Sequence, residues 1–385
     1  MRYITPYVVK DLHKKMVFIG GPRQCGKTTL AERILERSSQ WGFQGGSYFN
    51  WDNDEERRDI LAKNWDPNSK LIVFDELHKF PRWKTWLKGL YDKNKLKHSF
   101  LVTGSARLDV YRRGGDSLLG RYHYWRLHPF TLSEFPPGLS KQEAFKRLMT
   151  VGGFPEPFLD GSEQEARRWR KERYDRVLKD DIRDLEPLRH IQTLNLFVDL
   201  LRQRVGSPVV LSNLAEDLQV SPLTLKHWLE ILEKMYVVFC VRPLTKNIPR
   251  AIQKPPKVFF FDNADILGDE GACFENLVAN HLLKKIHYLE DLEGYRYELR
   301  YIRDKEGREV DFAILKEGQV IELIEAKYSE QEISKSLIYY AEKLKPTSAV
   351  QIVGKLKKRI FKGNIKNITA IDAFPPESLI NPTSR

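Results

Sequence analysis

Residues 20–30 read GGPRQCGKTTL. Gly21, Gly26, Lys27 and Thr28 fit G-x-x-x-x-G-K-[ST], a loop whose backbone N–H groups close around phosphates. Gly21, Pro22, Arg23, Gln24, Cys25, Gly26, Lys27, Thr28 and Thr29 are therefore the expected nucleotide-binding residues. Lys27 should reach the β- and γ-phosphates, and the Thr28 hydroxyl should ligate magnesium. A second apolar run, Leu71 to Phe74, leads into Asp75 and Glu76. Asp75 is expected to hold the magnesium shell and Glu76 to orient or deprotonate the attacking water. A third run ends in Thr103-Gly104-Ser105, where Ser105 could touch the γ-phosphate or the water. Arg107, Arg112, Arg113 and Arg121 follow. Phosphoryl transfer gains from an arginine supplied across a subunit boundary. Arg121 and then Arg113 are the candidates, and a surface salt bridge is the competing reading for each.

A second group of chemical side chains lies in the last third. Glu275 sits in an amphipathic stretch, Asp311 in EVDFAIL, and Glu325 and Lys327 in VIELIEAK. Side chains alternate along a strand, so Glu325 and Lys327 share a face and Glu322 takes the other. If the two strands form a hairpin through the KEG turn, Asp311 lies beside Glu325. Two carboxylates so close repel unless a cation joins them, and magnesium suits oxygen ligands. Glu275 would complete the shell, and Lys327 would position a water or stabilise a pentavalent phosphate. A platform that holds DNA without cutting it is the alternative.

The elements that must carry these residues can be read from the pattern. Met16 to Ile19, Leu71 to Phe74 and Phe100 to Val102 are short continuous apolar runs, the signature of buried parallel strands. A helix after Thr28 has Leu30, Ile34 and Leu35 on one side. Ligands of open α/β sheets bind at the carboxyl ends of strands, where the acids stand. From about 140 to 190 the chain reads as helical and highly charged, with GGFPEPF at 152–158 as a hinge. Trp169, Tyr174, Val177 and Leu178 recur there at helical spacing.

Residues 194–204 suit one helix. VVLSNLAEDLQVSPLTLKHWLEILEKMYVVFCVRPL then suits helix–turn–helix plus strand, with Ser212 capping the first helix and Pro222 opening the second. Leu225, Trp228, Leu229 and Leu232 form the buried stripe of the second helix. That leaves Thr224, Lys226, His227 and Glu230 outward, and YVVFCVRPL could be a wing. A recognition helix of this kind enters the major groove.

The strings GPRQCGKTT, LIVFDEL, LVTGSARL, HPFTLSEF and GGFPEPF occur in that order. Together they resemble the prokaryotic AAA-type ATPases whose C-terminal half is a domain of unknown function. That resemblance implies an AAA+ nucleotide-binding core, a winged-helix segment and a tail similar to the restriction-endonuclease (PD-(D/E)xK) core. It implies no settled substrate. The expected architecture is α/β, in three parts. Residues 1–140 form a P-loop ATPase core with a parallel sheet. Residues 141–250 form a helical linker and winged helix. Residues 251–385 form a mixed α/β, restriction-endonuclease-like domain.

The totals bound the partners. The chain has 385 residues and a formal net charge of +12, which favours a polyanion, nucleic acid before membrane. Lys357, Lys358 and Arg359 form a further basic patch near the end. Three scattered cysteines, Cys25, Cys240 and Cys273, fit neither a disulfide framework nor a Cys-type zinc site, so a reducing, cytoplasmic setting is expected. No run approaches the ~20 apolar residues of a membrane span, and the first residues lack the apolar core of a signal peptide. The expected function is a magnesium-dependent, oligomeric ATPase that moves or remodels duplex, forked or branched DNA. An ATP-gated DNA nuclease and a scaffold ATPase with protein partners are the alternatives.

Overall fold

Short runs of consecutive apolar residues become the centre of a sheet covered on both faces. This was obtained from a computed structural model, which describes residues 2–104, 118–177, 191–245, 254–356 and 360–375. Ser105, Arg107, Arg112, Arg113, Leu178, Lys357, Lys358 and Arg359 lie outside the described residues.

The chain divides into two compact units, Met1–Pro129 and Phe130–Arg385. The first holds β1 (Met16–Gly20), β2 (Gly46–Asn50), β3 (Leu71–Asp75), β4 (Ser99–Thr103) and β5 (Tyr122–Arg126). All pair in parallel, in the order β2-β3-β4-β1-β5. β1 and β3 are buried at every residue, as strands covered on both faces must be. Met16, Phe18, Ile72, Phe74, Phe100 and Val102 form one core with Ile60 of α3 (Asp54–Ala62) and Trp83, Leu87 and Leu90 of α4 (Trp83–Asn94). Side chains of the other parity face α1 (Thr5–Leu12) and α2 (Lys27–Glu36). Between α2 and its strands, Leu30, Ala31 and Ile34 are buried. Leu35, expected on that face, is only half-buried.

The second unit starts with α5 (Lys141–Thr150), α6 (Pro155–Asp160) and α7 (Glu163–Arg176). The GGFPEPF stretch between them is a packed turn and not a loose hinge. Gly152 has φ +84°, and a Cβ there would stand 2.0 Å from the Asp262 Oδ1. Phe154 and Phe158 are fully buried, and Pro155 opens α6. The charged α7 is likewise anchored. Arg173 is 3% exposed, lies over the Phe154 ring at 4.0 Å and faces Asp265.

Three helices follow: α8 (Ile191–Arg202), α9 (Leu211–Leu218) and α10 (Pro222–Lys234). α9 and α10 make the expected helix–turn–helix, with Gln219 in the left-handed region at the turn (φ 53°). The cap of α9 is Val210, without a side-chain bond, so Ser212 lies inside the helix. Ser221 caps α10 and accepts from the Thr224 N–H, and Pro222 sits in the first turn.

The strand expected to be a wing is instead an interior member of a large sheet. β6 (Val238–Pro243) pairs with β7 (Lys257–Phe260) on one side and with β8 (Tyr297–Arg303) on the other. Its apolar run, buried at Val238, Phe239 and Val241, is too hydrophobic to stand in water. The rest of the sheet is β9 (Glu309–Lys316), β10 (Gln319–Ser329), β11 (Ser348–Lys355), β12 (Ile360–Lys362) and β13 (Ile365–Thr369). The order is β12-β13-β11-β10-β9-β8-β6-β7. The expected border near residue 250 therefore runs between two strands of one sheet. β8, β9 and β10 form the antiparallel meander expected from the two turns. β10 and β11 are parallel, and α12 (Lys335–Leu344) makes the crossover that parallel neighbours need. α11 (Glu270–Glu293) packs against β10 and β8. Its Asn276 and Asn280 amides bond the backbone of Phe260, which covers the open edge at β7. A four-residue α13 (Ala370–Ala373) ends the described chain.

Candidate functional site

The carboxyl ends of β1, β3 and β4 bring the first unit's chemical residues together. The strands are in register, so Asn50, Asp75 and Thr103 stand side by side. Both oxygens of Asp75 are fixed. Thr28 Oγ1 donates to Oδ2 at 2.6 Å, Tyr48 OH donates to Oδ2 at 2.9 Å, and Thr103 Oγ1 donates to Oδ1. The Glu76 N–H also reaches Oδ1, at 3.0 Å. Burial, then the Asp75 charge, pushes the Tyr48 phenol far above its usual range, so it stays protonated and keeps its hydrogen for Asp75.

Around the loop, Gly21 has φ +137°, and a Cβ on it would come within 2.3 Å of the Leu127 carbonyl oxygen. Gly26 takes the left-handed region at the start of α2 (φ 91°). Lys27 is buried, and its ammonium donates to the carbonyls of Gly21 at 3.2 Å and Pro22 at 2.6 Å. Thr28 and Thr29 are exposed at the helix start, where the dipole favours phosphate. Arg2, which no local pattern marked, reaches the same loop. Its guanidinium donates to the Cys25 carbonyl at 2.8 Å and to that of His128.

Glu76 sits one residue beyond Asp75 in the left-handed region (φ 55°), a strained setting of the kind found at working sites. Burial pushes its carboxyl above the ordinary range, against the pull of Lys79 and Lys27. Oε2 stands 3.6 Å from His78 Nε2 and 3.5 Å from Lys79 Nζ. Thr28 and Asp75 offer hard oxygen donors, oriented in advance and few in number. Magnesium prefers such a set, since it keeps waters and substrate oxygens for its other positions. Arg121 forms a two-pronged pair with Asp92, Nε to Oδ1 at 2.8 Å and Nη2 to Oδ2 at 3.0 Å. In this state it is a salt bridge within its own chain.

In the second unit all four expected residues meet. Lys327 Nζ is 2.8 Å from Glu325 Oε1 and 3.7 Å from Asp311 Oδ2. The Ala326 N–H donates to Asp311 Oδ2 at 3.0 Å, and the Asp311 N–H to Glu325 Oε2 at 3.4 Å. Glu322, placed by parity on the other face, bonds Lys285 of α11 at 2.6 Å. Two residues were missed, Lys257 and Glu309. Lys257 is 1% exposed, and its ammonium contacts Glu309 at 2.7 Å, Glu275 at 3.2 Å and Asp311 at 3.4 Å. Glu309 was recoverable, being two residues before Asp311 on the same strand face. Lys257 was a lysine opening an apolar run, and only its distant partners explain its burial.

Burial, and then the charge of Asp311, pushes both Glu275 and Glu325 above the usual carboxylate range. Burial acts to lower the Lys257 ammonium, and the acids around it outweigh that and hold it charged. The expected metal shell is corrected here. Among the described residues, no group of three or more His, Cys, Asp or Glu side chains is arranged to hold a metal ion. Glu275, Asp311 and Glu325 do converge, but onto the ammonium groups of Lys257 and Lys327. The donor set as it stands does not fit a divalent ion.

Of the four α10 residues expected to face outward, only two are fully exposed. Lys226 and Glu230 are exposed, and Thr224 and His227 half-buried.

Comparison with known proteins divides the chain in three. Residues 13–136 match the model of an AAA domain. Residues 142–264 and 270–374 match two models described as domains of unknown function, DUF8612 and DUF4143. Two relatives are uncharacterized proteins, Rv2008c of Mycobacterium tuberculosis and Mb2031c of Mycobacterium bovis. Each is 27% identical over 260 residues, which is 66% of this chain and 56% of the relative. The match thus spans little more than half of those relatives' length. Among solved structures, AMPPCP-bound DnaA from Aquifex aeolicus is 13% identical, covering 60% of this chain and 86% of its own, with a TM-score of 0.33. A variant of RuvB from Thermotoga maritima is 17% identical, covering 65% and 94%, with a TM-score of 0.31. The AAA-domain match over residues 13–136 and the loop geometry both support a P-loop, AAA-type nucleotide-binding fold for the first unit. Among the described residues, no helix is long and apolar enough to cross a membrane.

Proposed function

We propose that this chain is a magnesium-dependent ATP hydrolase that spends its turnover on DNA, as an oligomer that moves or remodels duplex, forked or branched DNA. The observation that carries the hydrolase reading is the Asp75 carboxylate, fixed by Thr28, Tyr48 and Thr103 beside Lys27 and Glu76. Thr28 and Asp75 would hold magnesium, which supplies charge neutralisation across the phosphates. Lys27 exchanges the Gly21 and Pro22 carbonyls for phosphate oxygens. The loop N–H groups and the start of α2 orient the same phosphates. Glu76, with its carboxyl pushed up by burial, is the group that orients the water and takes its proton. Arg121 would serve a neighbouring subunit after leaving Asp92, an exposed pair of the kind that exchanges partners readily.

The DNA reading rests on the helix–turn–helix of α9 and α10, without the wing that the sequence suggested, and on the net charge of +12. Thr224, Lys226 and His227 are the proposed DNA-facing residues, with Lys357, Lys358 and Arg359 as a second basic contact. The nuclease alternative has less support, because the Glu275, Asp311 and Glu325 carboxylates face ammonium groups.

Fluorescence anisotropy tests the DNA half. Labelled single strand, duplex, fork and four-way junction are titrated with and without a non-hydrolysable ATP analogue. The expected result is tighter binding of forked or four-way DNA, an affinity that falls steeply with salt, and weakening by Lys226→Glu. No binding to any of these DNAs at roughly 50 mM salt, where phosphate contacts are strong, would leave an ATP hydrolase with a protein client.

A further inference from the structure

We infer that Lys257 is a built-in counter-ion. Its ammonium takes the place a divalent metal would hold among Glu275, Glu309 and Asp311, and makes the cluster a permanent bracket instead of a hydrolytic centre. An ammonium has three N–H donors, and three carboxylates receive them at 3.2, 2.7 and 3.4 Å. Lys327 and Arg303 supply the remaining cations, on Glu325 at 2.8 Å and on Glu309 at 3.2 Å.

The lysine cannot drift out of this position. Its backbone is paired with Val241 of β6 and bridged to Pro208. Its side chain is 1% exposed, while Asp311 and Glu325 are 8% and 4% exposed. The Glu275 carboxylate is held close against Gly206, where a Cβ would stand 2.5 Å from Oε2. The cluster therefore joins three pieces of chain: the start of β7, the first turns of α11, and the β9–β10 hairpin. The turn that precedes the helix–turn–helix packs on this bracket at Gly206 and is tied to the sheet by the backbone bridge from Pro208 to Lys257. Removing one member leaves the others uncompensated, which is strongly destabilising for buried ion networks.

Manganese binding to the nucleotide-free full chain, read by electron paramagnetic resonance and by thermal unfolding, tests this. Without nucleotide the outcome is independent of ATP hydrolysis. The wild-type chain is expected to hold no manganese that Asp311→Asn removes. Lys257→Met is expected to unfold several degrees lower, to gain one bound ion per chain, and to recover most of the lost temperature in millimolar manganese. Adding Asp311→Asn to it should abolish both the ion and the rescue. Lys257→Arg keeps a cation in place and should bind no metal. A wild-type chain that binds an ion through Asp311 overturns the inference, whether or not Lys257→Met folds. So does a folded Lys257→Met that binds none.

Discussion

Asp75 and Arg2 show two ways in which a side chain comes to matter at the nucleotide loop. Asp75 stands where a strand ends, and its partners Thr28 and Thr103 come from neighbouring strand ends or the next helix. Arg2 comes from the far end of the unit's sequence and satisfies the buried carbonyl of Cys25. Leaving a buried acceptor unpaired costs about 1–3 kcal/mol. Arg2→Ala is thus expected to weaken ATP binding roughly ten-fold by that estimate, with little change in the rate of the bound complex. Equilibrium titration with a fluorescent ATP analogue, beside single-turnover hydrolysis, separates the two effects. An unchanged affinity would show that the loop keeps its shape without Arg2. Local spacing was enough to find Lys27, Thr28, Asp75 and Glu76, because each lies within one strand–loop–helix step. Tyr48, Arg2 and Lys257 were not legible. Their roles depend on partners 27, 23 and 54 residues away, and no local pattern encodes such pairings.

At the scale of elements, α11 ties the second unit together through polar groups buried on purpose. Its His281 is buried, accepts the Leu132 N–H at Nε2 (2.8 Å) and donates from Nδ1 to the Leu277 carbonyl (2.7 Å). Burial, with Lys284 nearby, pushes its pKa down to about 3 from the usual 6.5. The folded state therefore needs the neutral ring, while the unfolded chain takes up a proton below about 6.5. Stability from this group is complete above that value. It is lost as pH falls toward 3, by at most about 1.4 kcal/mol per pH unit. Thermal melts of the wild type should fall more steeply between those values than melts of His281→Gln, whose amide can still accept from Leu132 but does not titrate. Parallel acid limbs in the two proteins would contradict this. Most elements were legible from apolar periodicity, including α10 with its buried Leu225, Trp228, Leu229 and Leu232. The fate of β6 was not. Its apolar run argued for burial, but which strands would flank it depended on pairing with β7 and β8, which lie later in the chain. The GGFPEPF turn was recognised as punctuation, but its tight fit depends on Asp262, more than a hundred residues on.

At the scale of the whole molecule, the chain carries a nucleotide-binding unit and a second unit whose clustered acids are already paired with lysines. The alternative of an ATP-gated nuclease has the weaker support, because those acids face ammonium groups. The proposed hydrolase keeps a helix–turn–helix and an excess of 12 positive charges. Its central claim is that hydrolysis at Lys27 and Glu76 responds to DNA. The most direct test is the steady-state rate of ATP hydrolysis by the full chain with and without forked DNA. The account predicts a rate that rises with DNA, falls back as salt is added, and is abolished by Lys27→Ala and by Glu76→Gln in either condition. Equal rates with and without DNA, from an enzyme those two variants inactivate, would contradict it.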